Sequence, residues 1–286
     1  IRADSVGMVS TQNTFVDNGI QGIRVISYYT SAEVTQSATW ARCDDEGWFY
    51  DIDQYIRVQA VQGGQPHPVL TLAPGVTLRF PQGGDLQVGV DNGGTLYGGL
   101  YAIGKPDSMV TFTSKLDNPP QGPWRGINLG KTAYDDSTVL DYCLVEYSGE
   151  DGNDPYSNVN CNESSPTISR SVIRKSAASG IYLFNNCFPE ITGCLIHEND
   201  HYGIFCDLFS SATIQQNAIF NNKVAGIGCD QGSNSVIKFN EITENQDGVR
   251  CTLGSSPTIN YCNIHGNSRY GAGGYGCLLY TSPSPR

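Results

Sequence analysis

At 286 residues, with 39% hydrophobic and only 16% charged side chains, the chain can bury a sizeable core and is too apolar to be disordered. A formal net charge of −11 argues against a nucleic-acid partner, because phosphate binding draws on clustered Lys and Arg. No apolar run approaches the roughly 20 residues of a membrane-spanning helix, and no signal peptide is visible.

In chain order, NTFVDNGIQGIRV (residues 13–25) sets Asn13, Phe15, Asn18, Gly22-Ile23 and Val25 at a spacing that returns much later. Residues 31–68 lack that spacing and are aromatic-rich, as in TWARCDDEGWFYDIDQY. VLTLAPGVTLRF (residues 69–80) alternates Leu70, Leu72, Val76, Leu78 and Phe80 about a Pro74-Gly75 turn, which predicts two short strands. DLQVGV, TLYGGLYAIG and MVTFTS add further strands. PWRGINLG then places Gly126-Ile127, and DYCLVEYSG places Cys143.

From residue 164 to 274 the repeat is explicit. Ile168, Ile191, Ile214, Ile237 and Ile259 recur at steps of 23, 23, 23 and 22. Ile173, Ile196, Ile219, Ile242 and Ile264 keep the same step, as do Gly180, Gly203, Gly226, Gly248 and Gly271. A fourth column runs Leu183, Cys206, Cys229, Cys251, and a fifth Asn199, Asn222, Asn245, Asn267. Short apolar alternations broken by Gly, Asn, Ser and Pro are strand and turn chemistry with no helical period. A rung of 22–23 residues fits three short strands and three turns. Stacking the rungs about 4.8 Å apart turns each apolar column into a buried stripe. The recurring Asn is expected in a turn, where stacked amides bond each other and the neighbouring backbone.

The predicted fold is all-β, a right-handed parallel β-helix. SSPTISRSVIRKSAASGIYL and its four successors resemble the right-handed parallel β-helix repeat family of the pectate-lyase-like superfamily. The nearest matches to its rung motif are Ser165-Pro166-Thr167-Ile168 and Ser256-Pro257-Thr258-Ile259. Residues 69–80 also resemble the opening rung of many bacterial surface β-helices. The expected organisation is 1–30 as terminal rungs of a preceding β-helix, or alternatively an early rung of a single one. A connector or cap spans 31–68, the β-helix 69–276, and a non-repeat tail of artefactual character 277–286. Ten Cys and the acceptor triplet at Asn162 suit an extracellular or cell-surface location.

Candidate chemistry lies on outward side chains of adjacent rungs. Asn162, Phe184, Asp207, Asp230 and Thr252 form one such column. Asp207 and Asp230 would be carboxylates on successive rungs, suited to acid–base work on a glycosidic bond or to Ca2+; the alternative is a pair of solvated turn residues. The resemblance adds that superfamily hydrolases and lyases use acids on neighbouring coils. Beside them run Tyr182, Phe205, Gly228 and Arg250, with Arg24 and Asn128 assigned to the same column. Tyr182 and Phe205 would stack as a sugar platform, and Arg250 would grip a uronate carboxylate. Cross-strand packing is the plainer alternative.

CLIHENDH supplies Cys194, His197 and His201, but alternation points Cys194 inward and His197 outward, so one metal ion cannot reach both. Family epimerases carry Asp-Pro-His-Asp, whereas Asn153-Asp154-Pro155-Tyr156 here lacks the His. The Cys206, Cys229, Cys251 stack reads as core filler. No cofactor is indicated beyond the Ca2+ option. The expected function is a structural or carbohydrate-binding β-helix module of a larger tandem or filamentous protein. Its expected partner is a polysaccharide or neighbouring β-helix domains or subunits. The alternative is a polysaccharide lyase or glycoside hydrolase.

Overall fold

The structure, a computed structural model, describes every residue except 14, 16, 19, 28–31, 43–46, 62–65, 91–92, 94, 153–155, 275–279 and 282–286. Cys43, Cys277, most of the 277–286 tail and the Asn153-Asp154-Pro155 string lie outside the described residues. Among the described residues there are three parallel sheets of ten strands each, and each sheet takes every third strand. That order is a parallel β-helix. The first sheet runs from Gly22–Val25 to Asn263–His265, the second from Ala32–Val34 to Tyr270–Gly273, and the third from Ala38–Trp40 to Tyr280–Thr281.

The inward columns stack in register. Ile168, Ile191, Ile214, Ile237 and Ile259 pair successively in the third sheet, and the first four are completely buried. Ile173, Ile196, Ile219 and Ile242 do the same in the first sheet. Full burial of each such side chain stabilises the fold by about 1.5–3 kcal/mol. Parallel pairing satisfies the strand backbone between rungs, but turn N–H groups at buried corners need other acceptors.

Asn199, Asn222, Asn245 and Asn267 supply them. Each amide Nδ2 donates to the Oδ1 of the next Asn at 2.9, 2.9 and 3.1 Å. The same Oδ1 atoms accept the backbone N–H of the rung before. A second ladder, from Cys194 N–H to Asn217 and on to Asn240, lines another corner. Gly203 belongs to this arrangement, since a Cβ there would meet the Gly226 carbonyl oxygen at 2.6 Å and the Asn222 Nδ2 at 3.0 Å.

Two expectations change. Residues 1–68 are no separate coil and connector in the strand order, because their strands open the same three sheets. Gly22–Val25 pairs with Phe49–Ile52, which pairs with Thr77–Phe80. This is the single-helix alternative. Aromatics read as a connector are core: Trp40, Trp48 and Tyr50 are buried, with the Tyr50 ring centroid 5.0 Å from Trp40 and 4.5 Å from Trp48.

Second, the 22–23-residue rung holds only from Val159 onward in the second sheet, Ile168 in the third and Ile173 in the first. Earlier rungs in the first sheet take 28 residues (Tyr50 to Leu78), 34 (Leu78 to Phe112) and 33 (Phe112 to Val145). The extra residues leave as outward loops. One of them carries Gln121 across two later rungs, where its Nε2 donates to the Ser176 and Glu198 carbonyls. In the tail, Tyr280–Thr281 pairs with Thr258–Asn260.

Replacing Asn222 by Ala strands buried donors and acceptors on two rungs and is expected to cost about 2–5 kcal/mol. Ile214→Ala is expected to cost a similar amount, about 2–5 kcal/mol, through its cavity. Thr213→Ala, on the outward side of the same strand, should stay within about 0.5 kcal/mol. Urea unfolding midpoints of the three variants check this order.

Candidate functional site

The outward face of the second sheet gathers most of the chemistry. Strand register places Arg57, Gln87, Asn128 and Asn160 one above another, each on its own rung. The column continues through Tyr182, Phe205, Gly228 and Arg250. Asn128 therefore lies where the sequence placed it. Arg24 does not: it belongs to the first sheet opposite Asp51 and pairs with Asp53.

At the upper end, Asp85 sits just before the strand Leu86–Val88 and is 5% exposed. Gln87 Nε2 donates to its two oxygens at 3.3 and 3.0 Å, and Asn128 Nδ2 to Oδ2 at 2.9 Å. Arg57 Nε donates to the Gln87 Oε1 at 3.0 Å, while Asn160 Nδ2 donates to the Asn128 Oδ1 at 2.9 Å. Burial pushes the Asp85 carboxyl above its ordinary pKa, against the opposite pull of the Gln87 and Asn128 hydrogen bonds and of Arg125 and Arg57. A cavity of about 370 Å³ opens over this network, flanked by Arg125, Tyr156 and Tyr182. Arg125 is ion-paired with Glu150, and its guanidinium lies 5.3 Å from the Tyr156 ring centroid. Asp85 is the one acidic residue lining that cavity among the described residues.

Next along the face comes an aromatic stack. Tyr182 and Phe205 pack as anticipated, with centroids 5.5 Å apart, and Tyr202 lies against Phe205 at 4.4 Å. Gly228 makes room for these rings, because a Cβ there would meet Tyr202 at 2.6 Å and Phe205 at 2.9 Å. The Tyr182 ring is only 9% exposed, so Phe205 offers the more open surface.

Asp207 and Asp230 follow the registered Cys206 and Cys229 on successive rungs. Each is held in its own turn. Asp207 is 8% exposed and accepts from the Tyr182 hydroxyl at 3.1 Å, the Leu208 N–H at 2.8 Å and Gln231 Nε2 at 2.8 Å. Asp230 accepts from the Gln231 N–H at 2.8 Å and the Thr252 hydroxyl at 2.6 Å. Gln231 thus bridges the two acids. This geometry assigns both carboxylates strong structural partners.

Arg250, half-buried, lines a second cavity of about 370 Å³ with Asp247, Thr252, Arg269 and Tyr270. Arg269 is ion-paired with Asp247, whereas Arg250 has no carboxylate partner among the described residues. Asn162 is exposed at the end of Val159–Asn162 and reaches the rim of the Asp85 cavity.

Cys194 is buried, while His197 stacks on Phe220 with centroids 4.7 Å apart, and burial lowers its pKa. No group of three or more His, Cys, Asp or Glu side chains suited to a metal occurs among the described residues. Cys206 and Cys229 are buried free thiols, and Cys251 is disulfide-bonded.

The family described as a right-handed beta helix region matches residues 126–285, more than half of the chain. The chain belongs to this family. Solved structures with a similar fold include the periplasmic alginate epimerase AlgG, with a TM-score of 0.46 and 11% identity over 98% of this chain and 82% of that one. The Azotobacter vinelandii mannuronan C-5 epimerase AlgE4 A-module gives a TM-score of 0.40 and 11% identity over 93% of this chain and 88% of that one. None of the curated proteins matches the sequence. No helix among the described residues is long and apolar enough to cross a membrane.

Asp207→Ala removes the acceptor of a buried tyrosine hydroxyl and is expected to cost about 1–3 kcal/mol. Asp230→Ala, on a more open turn, should cost less. Comparison of their urea midpoints with wild type tests this structural assignment.

Proposed function

We propose that this chain is a carbohydrate-binding β-helix module of the cell exterior or surface, which lays an extended polysaccharide along the outward face of its second sheet. One observation carries the reading. One register column presents the amides of Gln87, Asn128 and Asn160 with Asp85 beside them, then the partly open Tyr182–Phe205 stack and, past Gly228, an arginine without a carboxylate partner among the described residues, successive rungs lying about 4.8 Å apart. Hydroxyl-rich chains are bound by such mixtures, with planar hydrogen-bonding groups fixing orientation and ring faces supplying apolar contact. Arg250 suits an anionic substituent through its fork. The disulfide-bonded Cys251 and the exposed Asn162 side chain of the acceptor triplet support the exterior setting.

A second reading, a polysaccharide lyase or hydrolase, draws on Asp85, a buried carboxyl with a raised pKa at the floor of a cavity. Two-carboxylate hydrolysis gains nothing from the cavity itself, whose described lining contains one acid. A search for new reducing ends or unsaturated products separates the readings.

Affinity electrophoresis across neutral and acidic polysaccharides is expected to show retardation. Phe205→Ala should weaken it about tenfold. Arg250→Ala should selectively weaken retention by the acidic ones. Absence of retardation by any polysaccharide, or retardation indifferent to both changes, would contradict the proposal.

A further inference from the structure

The hydrogen-bond chain over Asp85 has a direction. At one end stands Arg57, whose guanidinium has donors and no acceptor, so the Gln87 carbonyl must face it and the Gln87 amide N must face Asp85. At the other end the Ser157 backbone N–H donates to the Asn160 Oδ1 at 2.8 Å. That bond turns the Asn160 amide N toward the Asn128 Oδ1, and the Asn128 amide N in turn toward Asp85. Both ends are obligate donors, so none of the three amides can reverse without placing donor against donor. Asp85 receives N–H groups from both sides, the surroundings of a carboxylate rather than of a carboxylic acid.

The charges around the cavity sharpen this. Arg125 is ion-paired with Glu150, and Arg57 lies 3.8 Å from Glu33. Each arginine beside the cavity therefore has a carboxylate of its own, and the floor retains one anion held by neutral amides. An incoming carboxylate or sulfate would meet like charge in a partly desolvated space. An incoming hydroxyl would find a carboxylate with lone-pair capacity remaining and a charge-assisted hydrogen bond to make. The volume of about 370 Å³ lies within the range of small-molecule sites.

We infer that the Asp85 cavity is a subsite for a neutral sugar ring, gripped by hydroxyl groups donating to the Asp85 carboxylate and discriminating against uronate rings. The inference rests on the carbohydrate-binding reading of the whole face and deepens it: the Asp85 end selects uncharged units, while Arg250, without a carboxylate partner among the described residues, suits an acidic group. Val90 lines the cavity, is 38% exposed and takes no part in the hydrogen-bond chain, so filling its position closes the cavity without touching the network.

Calorimetric titration with neutral hexasaccharides (gluco-, manno-, xylo- and galacto-configured) and with uronate hexasaccharides tests the subsite. A neutral hexasaccharide is expected to bind, and both Val90→Trp and Asp85→Asn are expected to weaken it about tenfold or more. Val90→Trp keeps the test valid if Asp85→Asn fails to fold. Two results would overturn the subsite alone: glycan binding lost in Phe205→Ala but unchanged in Val90→Trp and Asp85→Asn, or preferential binding of a uronate hexasaccharide that Val90→Trp blocks. Absence of binding by every hexasaccharide would overturn the subsite together with the reading of the face.

Discussion

Register between successive rungs is the constraint on which the rest depends. A strand that slipped by one residue would turn Ile191, Ile214 or Ile237 outward and bring its polar neighbours into a dry shaft. Apolar columns oppose that slip from inside. The asparagine ladders oppose it at the corners, because each Oδ1 accepts from both the backbone and the amide of the preceding rung. The two devices reinforce each other: burial makes an unpaired amide costly, and a paired amide fixes the turn that aims the next isoleucine inward.

The outward faces inherit this order. Because the backbone repeats at a fixed spacing, outward residues remote in sequence become neighbours on the surface. Asp85, Asn128 and Asn160 come from three rungs and form one hydrogen-bonded unit. Tyr182, Tyr202 and Phe205 come from two and form one stack. Such a face needs no dedicated active-site loop to be chemically continuous. Its character changes along the axis, from the Asp85 carboxyl through rings to the cation at Arg250.

Legibility in the sequence followed how constant the rung length is. From Ile173 to Ile264 the step is 23, 23, 23 and 22, and the inward columns and the Asn199 ladder could be read directly. Upstream the step widens to 34 and 33, because loops such as the one bearing Gln121 leave the rung and return. The period disappears there although the cross-section persists. Trp40, Trp48 and Tyr50 also stand in the shaft in place of isoleucine, so residues 31–68 resembled a cap.

The candidate site was legible in part for the same reason. The pairing of Tyr182 with Phe205 lies in the regular half. Asp85 was missed because Gln87 and Asn128 stand 41 residues apart and Asn128 and Asn160 stand 32 apart, yet they are in register. Tyr182 packs against Phe184 on its own strand and Phe205 on the next rung, and Gly228 admits the Tyr202 and Phe205 rings through the absence of a side chain.

Selective methyl labelling of isoleucine offers the most direct examination of inter-rung register. The account predicts strong nuclear Overhauser contacts from the Ile191 methyl to Ile214 and from Ile214 to Ile237, one rung or about 4.8 Å of rise apart, with a much weaker contact between Ile191 and Ile237 at about twice that rise. Methyls of Ile191 and Ile214 that show no mutual contact and exchange relaxation freely with solvent would contradict it.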